Sequence, residues 1–303
     1  MNPIGKTVLA VTGLDAFQRR ITRGRAGRAL SLRFVAGETL GEAVAVARAL
    51  NDDGALVSLD HLGEHVTDTA KAQRARDDYL AAIERIHHEG LIANISVKLT
   101  QLGLGIDRDL AAASLGALAS RARDTGTTVT VDMEESSTVS DTIAIYREAQ
   151  SDYGNVGVAV QSYLYRTPQD VEDLLPLGGH IRLCKGAYAE PPEVAHQKRF
   201  EIDDAFDSLL RTLMASSSAI PAAATHDEQR VALARYLARS RSEPWEFQML
   251  YGVRETLQRE LIDAGYRLRI YVPYGDAWYP YLTRRLAERP ANLTFFARAL
   301  VGR

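Results

Sequence analysis

Eight short apolar runs are spaced along this chain, and each ends on a polar or charged residue of one alternating face. They are GALVSLD (54–60, ending on Asp60), IANISVKLT (92–100, Lys98), TVTVDMEE (128–135, Asp132), VGVAVQ (156–161, Gln161), HIRLCKG (180–186, Arg182), PAAATH (221–226, Thr225), WEFQML (245–250, Gln248) and RLRIYVP (267–273, Tyr271). Successive side chains of a strand point to opposite faces, so Ile95, Val97 and Leu99 oppose Asn94, Ser96 and Lys98. A parallel sheet wrapped in helices is buried on both faces and normally reads as continuous apolar residues. Eight such strands alternating with helices predict an α/β fold, a closed (β/α)8 barrel whose C-terminal mouth carries the chemistry. A polar lining at that mouth points to a catalytic or binding site.

The 303 residues suffice for one such barrel and an added arm. Helical patterning is expected at 67–89, 107–124, 138–152, 168–176, 192–217, 227–240, 252–264 and 276–289, between and after the strands. Asp107 and Asp109 precede one helix, Pro168 opens another, and Gly90, Gly126 and Gly265 follow three. Residues 1–50 precede the first strand and read as a helical arm (Asp15–Leu30, then Thr39–Leu50). Thr39 is its expected N-cap and Glu42 completes a capping box. The catalytic barrel then occupies 51–303.

Several classes are excluded. No apolar run approaches the ~20 residues of a membrane helix, and the N-terminus MNPIGKTVLAVTG has no convincing cleavage site. The lone Cys184 suits a reducing compartment, so a cytoplasmic protein is expected. A net charge of −3 gives no global attraction to nucleic acid. The basic stretch 19–33 (Arg19, Arg20, Arg23, Arg25, Arg28, Arg33) is either a solvated helical face or a surface meeting an anionic membrane at its inner side. There is no G-x-G-x-x-G after a strand, no P-loop, no H-E-x-x-H and no G-x-S-x-G. No metal site is expected, and His87–His88 reads as the cationic end of a helix.

Three constellations remain. Lys98 and Asp132 end neighbouring strands on one face. They form a structural ion pair or a site that handles charge, and a Lys at a strand end is also an eligible Schiff-base nucleophile, as in an aldolase. RLCKGAY (182–188) gathers Arg182, Lys185, Gly186 and Tyr188 at one strand end. It is either a turn with solvated cations or a place where phosphate or an electron-rich ring binds; the Thr225-His226 pair could meet phosphate in the same way. Arg284-Arg285 lies on the last helix, where adjacent side chains point about 100° apart. Such a pair is either solvated or able to grip a small carboxylate from two directions, with Glu288 close enough to pair with either.

In this order, ISVKLTQLG, VTVDMEES, VGVAVQSYL, IRLCKGAY, AAATHD, EFQMLYG, RIYVPYG and YLTRRLAER resemble the proline dehydrogenase family, from about Leu56 to Phe296. No aldehyde dehydrogenase domain follows, so the chain is similar to monofunctional members. The resemblance implies a (β/α)8 barrel that binds FAD without a Rossmann fingerprint. It also implies oxidation of L-proline to Δ1-pyrroline-5-carboxylate, the first step of proline catabolism, with electrons passed to a membrane quinone. Arg284, Arg285 and Lys98 match the clamp on the proline carboxylate, and Glu288 the acid near the amine. Asp132 matches the strand-end acid near Tyr271, which shields the proline ring, and Leu250 packs on that ring. Arg182 matches the Arg beside flavin N5. Met133, Gln161, Lys185, Gly186, Ala187, Tyr188, Thr225 and His226 match FAD contacts. One position departs: where many members carry an aromatic residue after KGAY, this chain has Ala189. Two rivals to the flavoenzyme stay open, an aldolase built on Lys98 and a non-catalytic barrel that binds amino acids. Within the family, a hydroxyproline preference would be decided at Tyr271.

Overall fold

A computed structural model describes residues 32–288, with side chains to Thr283. Helix α1 (Leu40–Asp52) comes first, followed by β1 (Leu56–His61), α2 (Thr69–His88), β2 (Ala93–Val97), α3 (Arg108–Asp124), β3 (Val129–Val131) and α4 (Val139–Tyr153). Then come β4 (Val156–Gln161), α5 (Thr167–Leu174), β5 (Gly179–Cys184), α6 (Arg199–Ala215), β6 (Ala219–Ala224), α7 (Glu228–Leu237), β7 (Glu246–Leu250), α8 (Glu255–Asp263), β8 (Leu268–Tyr274) and α9 (Trp278–Glu288). The strands pair in sequence order, all parallel, and β8 closes on β1. The expected (β/α)8 barrel is therefore present.

Register fixes which residues share the lumen. Asp60 pairs with Ser96, Ser96 with Thr130, Thr130 with Gly157, and Ala159 with Arg182. Arg182 continues to Ala222, Ala222 to Glu246, and Gln248 to Arg269. The opposite face (Val57, Leu59, Ile95, Val97, Val131, Val158, Ile181, Leu183, Phe247, Ile270, Val272) is fully buried against the helices. Branched apolar layers usually fill such a barrel. Here the lumen holds Ser58, Asp60, Asn94, Ser96, Lys98, Thr130, Asp132, Arg182, Glu246, Gln248 and Arg269, all buried.

Local chemistry sets the element ends. Thr39 caps α1 as expected: its hydroxyl accepts from Glu42 N at 3.3 Å, and the Glu42 carboxylate accepts from Thr39 N at 2.9 Å. Helix α1 packs on β1 and β8 through Ala43 and Ala47. The expected helix 15–30 lies outside the described residues. Two elements fall furthest short of the sequence expectation. Helix α6 starts at Arg199 rather than 192. Pro191 and Pro192 have no N–H to give a helix ladder, and 194–196 instead bonds the loop after β4 (Tyr165 N to Val194 O, 3.0 Å; His196 N to Tyr163 O, 2.8 Å). Strand β3 ends at Val131, because Glu134 turns back to accept from Thr100 N at 3.0 Å.

A second hydrophobic cluster joins Phe34 and Val35 to Leu62 after β1, Val253 after β7, and Trp278, Tyr279, Tyr281 and Leu282 of α9. It ties α9 to loops at the C-terminal ends of β1 and β7, so the last helix sits at the rim of the mouth.

At the base of the lumen, Arg269 meets the Glu246 carboxylate at 2.6 and 3.1 Å, and also donates to Val57 O at 3.0 Å and Asn94 Oδ1 at 3.3 Å. Removing one member of a buried pair leaves the other charge uncompensated, at a cost of about 3–5 kcal/mol, whereas replacing both by apolar groups is far milder. Glu246→Ala should therefore lower stability by about that amount, and Glu246→Met with Arg269→Leu should recover most of it. Urea denaturation followed by circular dichroism checks both; equal losses in the two proteins would contradict the pairing.

Candidate active site

The ammonium of Lys98, from the end of β2, is 2.9 Å from Asp60 Oδ1, 3.2 Å from Asp132 Oδ2 and 3.3 Å from the Tyr271 hydroxyl. Its three N–H groups are thus all engaged. Tyr271 donates to Asp132 Oδ2 at 2.7 Å, and Ser96 Oγ donates to Asp132 Oδ1 at 2.7 Å. Arg182, reaching across from β5, binds Asp132 Oδ1 and the Gln248 amide oxygen, and donates to Ser96 Oγ at 3.0 Å. Its guanidinium carbon lies 5.3 Å from the centre of the Tyr271 ring. Two cations, two carboxylates and a phenol from five strands so form one buried network.

Electrostatics assign the protonation states. Burial alone would push the Lys98 ammonium down, but Asp60, Asp132 and Glu64 outweigh it and hold its pKa above the ordinary value. The two carboxylates that touch Lys98 favour its charged form, whereas a Schiff-base nucleophile needs a neutral amine; this arrangement weighs against the aldolase reading. Burial raises Asp132, yet Lys98, Arg182 and the bonds from Ser96 and Tyr271 bring it below the usual carboxylate range. For Asp60 burial wins over Lys98 and its pKa is raised, with Asp132 adding to the rise. Burial, then Asp132 and Asp60, push Tyr271 well up, so its hydroxyl stays a donor.

The expected cofactor contacts fall on neighbouring strand ends. Met133 is buried after β3. Gln161 ends β4; its amide N–H donates to Glu134 O at 2.9 Å and its oxygen accepts from Ala187 N at 3.3 Å. Gly186 has φ +129°, and a Cβ there would overlap the Tyr163 ring. Tyr188 is half-buried and Ala187 and Ala189 are exposed on the same loop. Lys185 is half-buried and paired: Asp203 and Asp227, the latter at 2.9 Å, accept from its ammonium. Thr225 needs a correction. Ala222 and Ala224 hold the lumen register of β6, so Thr225 falls one residue beyond that face, and its buried hydroxyl accepts from Asp227 N at 3.1 Å. His226 Nε2 accepts from Leu250 N at 2.9 Å and so sets the end of β7.

The mouth therefore divides. Met133, Gln161, Lys185–Tyr188, Thr225 and His226 end or follow β3 to β6, whereas Leu250, Tyr271, Asp60 and Lys98 lie on or just after β7, β8, β1 and β2. Asp132 and Arg182 join the halves. The Nη2 of Arg182 is buried and has no hydrogen-bond partner among the described residues, and a buried donor left open suits an electron-rich ring or an anion. With the Gly186 cradle, this half fits a flavin. Arg284, Arg285 and Glu288 lie on α9 at the rim, but their side chains are outside the described residues. Among the described residues no group of three His, Cys, Asp or Glu could hold a metal, and no helix is long and apolar enough to cross a membrane.

Sequence reasoning placed Asp60, Ser96 and Gln248 on the polar face without assigning them to the site, and did not single out Glu134, Glu246 or Arg269. Their signal was parity: Ser96 precedes Lys98 by two residues, and Glu246 precedes Gln248 by two.

Known proteins resemble most of the chain. The family model described as proline dehydrogenase matches residues 43–298. Proline dehydrogenase 1 of Bacillus subtilis is 38% identical over 272 residues, covering 89% of this chain and 90% of that protein. Proline dehydrogenase of Deinococcus radiodurans is 36% identical over 283 residues, 90% of each. Among solved structures, proline utilization A from Bdellovibrio bacteriovorus, inactivated by N-propargylglycine, superposes with a TM-score of 0.81 at 23% identity, over 86% of this chain and 32% of that one. The Bradyrhizobium japonicum counterpart (mutant D778Y) gives 0.76 at 26%, over 90% and 32%.

Asp132 has a consequence for acid stability. A carboxylate whose folded pKa lies below its unfolded value, about 3.9, stabilises the fold above that pH and loses the contribution as pH falls through the folded value. The thermal midpoint of Asp132→Asn should lie below wild type at pH 7 and decline less below about pH 4. Parallel declines in differential scanning fluorimetry would show that Asp132 is not held ionised.

Proposed function

The chain belongs to the proline dehydrogenase family, and on that premise we propose that it oxidises L-proline to Δ1-pyrroline-5-carboxylate with bound FAD. FAD supplies, when bound, a hydride acceptor at N5 and a route for the electrons to a quinone. The observation that carries this reading is the divided mouth, with the Arg182 donor open between its two halves.

In this reading Met133, Gln161, Arg182, Lys185, Gly186, Ala187, Tyr188, Thr225 and His226 hold the cofactor. Gly186 allows close backbone approach, Arg182 supplies positive charge beside the ring, and Lys185 acts with its two carboxylates already in place. Arg284, Arg285 and Lys98 hold the substrate carboxylate, which fixes Cδ for transfer. Lys98 must release one bond to do so, and the one to Tyr271, at 3.3 Å the longest of the three, is the one exchanged. Asp132 keeps Lys98 and Arg182 apart and charged. Tyr271 and Leu250 enclose the ring and exclude water, and Glu288 lies near the amine. A negative potential that develops during reduction is offset by cations fixed in advance. Quinone as acceptor requires a peripheral contact at the inner face of the membrane, with the protein otherwise cytoplasmic. A barrel that binds amino acids without turnover would need no open donor at Arg182.

The test is an anaerobic visible spectrum before and after L-proline. Flavin bands that bleach are expected. Bands that persist would move the substrate elsewhere, and a colourless protein that takes up no added FAD would end the reading. Arg285→Met should raise KM for proline at least about tenfold, a loss of roughly 1.4 kcal/mol of binding, with FAD retained. Loss of FAD would remove Arg285 from the substrate side.

A further inference from the structure

Glu246, Gln248 and Arg182 form a directional chain through the lumen. Glu246 is held by two bonds from Arg269, itself anchored on β1 and β2. The Gln248 amide N–H donates to Glu246 Oε1 at 2.7 Å. A carboxylate only accepts, so the other end of the amide must be its oxygen, and that oxygen accepts from Arg182 Nε. All three side chains are buried. On the far side of the guanidinium, Nη1 is taken by Ser96 at 3.0 Å and by Asp132. Braced from β7 on one edge and from β2 and β3 on the other, Arg182 can turn only by breaking bonds that nothing buried replaces. Its open Nη2 is therefore aimed by its neighbours.

We propose that Gln248 is a positioning residue that, braced on Glu246 and opposed by Ser96, aims the open donor of Arg182 at the electron-accepting ring of the cofactor. The proposal rests on the flavin-dependent reading above. Gln248 touches neither substrate nor cofactor in this scheme. Its role is to fix the direction of a cation whose value to catalysis depends on being preorganised.

The experiment uses the FAD-loaded enzyme and near-isosteric Gln248→Met, with Ser96→Ala as the second variant that releases the brace from the opposite edge. Four quantities are read: the affinity for FAD, the potential of the bound flavin, and KM and kcat for proline. In Gln248→Met the two-electron reduction equilibrium should move about tenfold toward the oxidised form, a fall of about 30 mV. The kcat should drop about tenfold, with KM and FAD affinity within about twofold of wild type. Ser96→Ala should move the potential in the same direction by less, and it carries the test alone if Gln248→Met does not fold. Wild-type potential and kcat in a folded variant would overturn the proposal. So would weakened FAD binding at unchanged potential, which would make Gln248 a prop of the binding site only. A wild-type protein that takes up no FAD would instead end the functional reading itself, so the two failures are distinct.

Discussion

Every charge in this lumen is tolerable only because a charge of opposite sign touches it. Arg269 lies on Glu246, Arg182 on Asp132, and Lys98 between Asp132 and Asp60. Moving a lone ion of this size out of water costs several kcal/mol, and one salt bridge seldom repays it. The solution here is a column in which signs alternate from the base to the mouth and neutral amides and hydroxyls (Gln248, Ser96, Asn94, Tyr271) use the remaining donors. The column closes only when the strands are in register, because its members come from six of them. Strand pairing and site electrostatics are in this sense one constraint. A slip of one residue would turn Asp132 toward the helices and Val131 into the lumen.

That column accounts for what could and could not be seen in the sequence. The barrel was legible because seven of the eight polar strand ends share one parity, and most hydrophobic residues share the other. The phase was clear wherever a run alternates, as in Asn94-Ser96-Lys98, and it failed where the run is uniform. In Pro221–Ala224 every residue is small and apolar, so nothing marks the inward face, and Thr225 was placed on it one position too far. The start of α6 was also misplaced, since apolar spacing continues through 192–198 although two prolines direct that stretch into pairing with another loop. The pairwise chemistry was less accessible still. Lys98 and Asp132 are adjacent strand ends and could be joined by inspection, whereas Glu246 and Arg269 are 23 residues apart and meet only through the β7–β8 register. Lower-layer ions also look, in sequence, like ordinary solvent-facing charges at the start of a strand.

The saturation of Lys98 bears on how the mouth can admit an anion. A cation with three N–H groups already bound to Asp60, Asp132 and Tyr271 gains little from a fourth acceptor unless one is released. The two carboxylates are poor candidates, since freeing either leaves a buried charge unpaired. The Tyr271 hydroxyl is the neutral member of the three, and it retains its own bond to Asp132 when Lys98 leaves it. The exchange therefore trades a neutral acceptor for a charged one while no buried ion loses its counterion. It also explains why one lysine can be a structural ion pair and part of a site at once. Asp60 and Asp132 keep it charged and in place, and the phenol reserves the one direction in which it can still act.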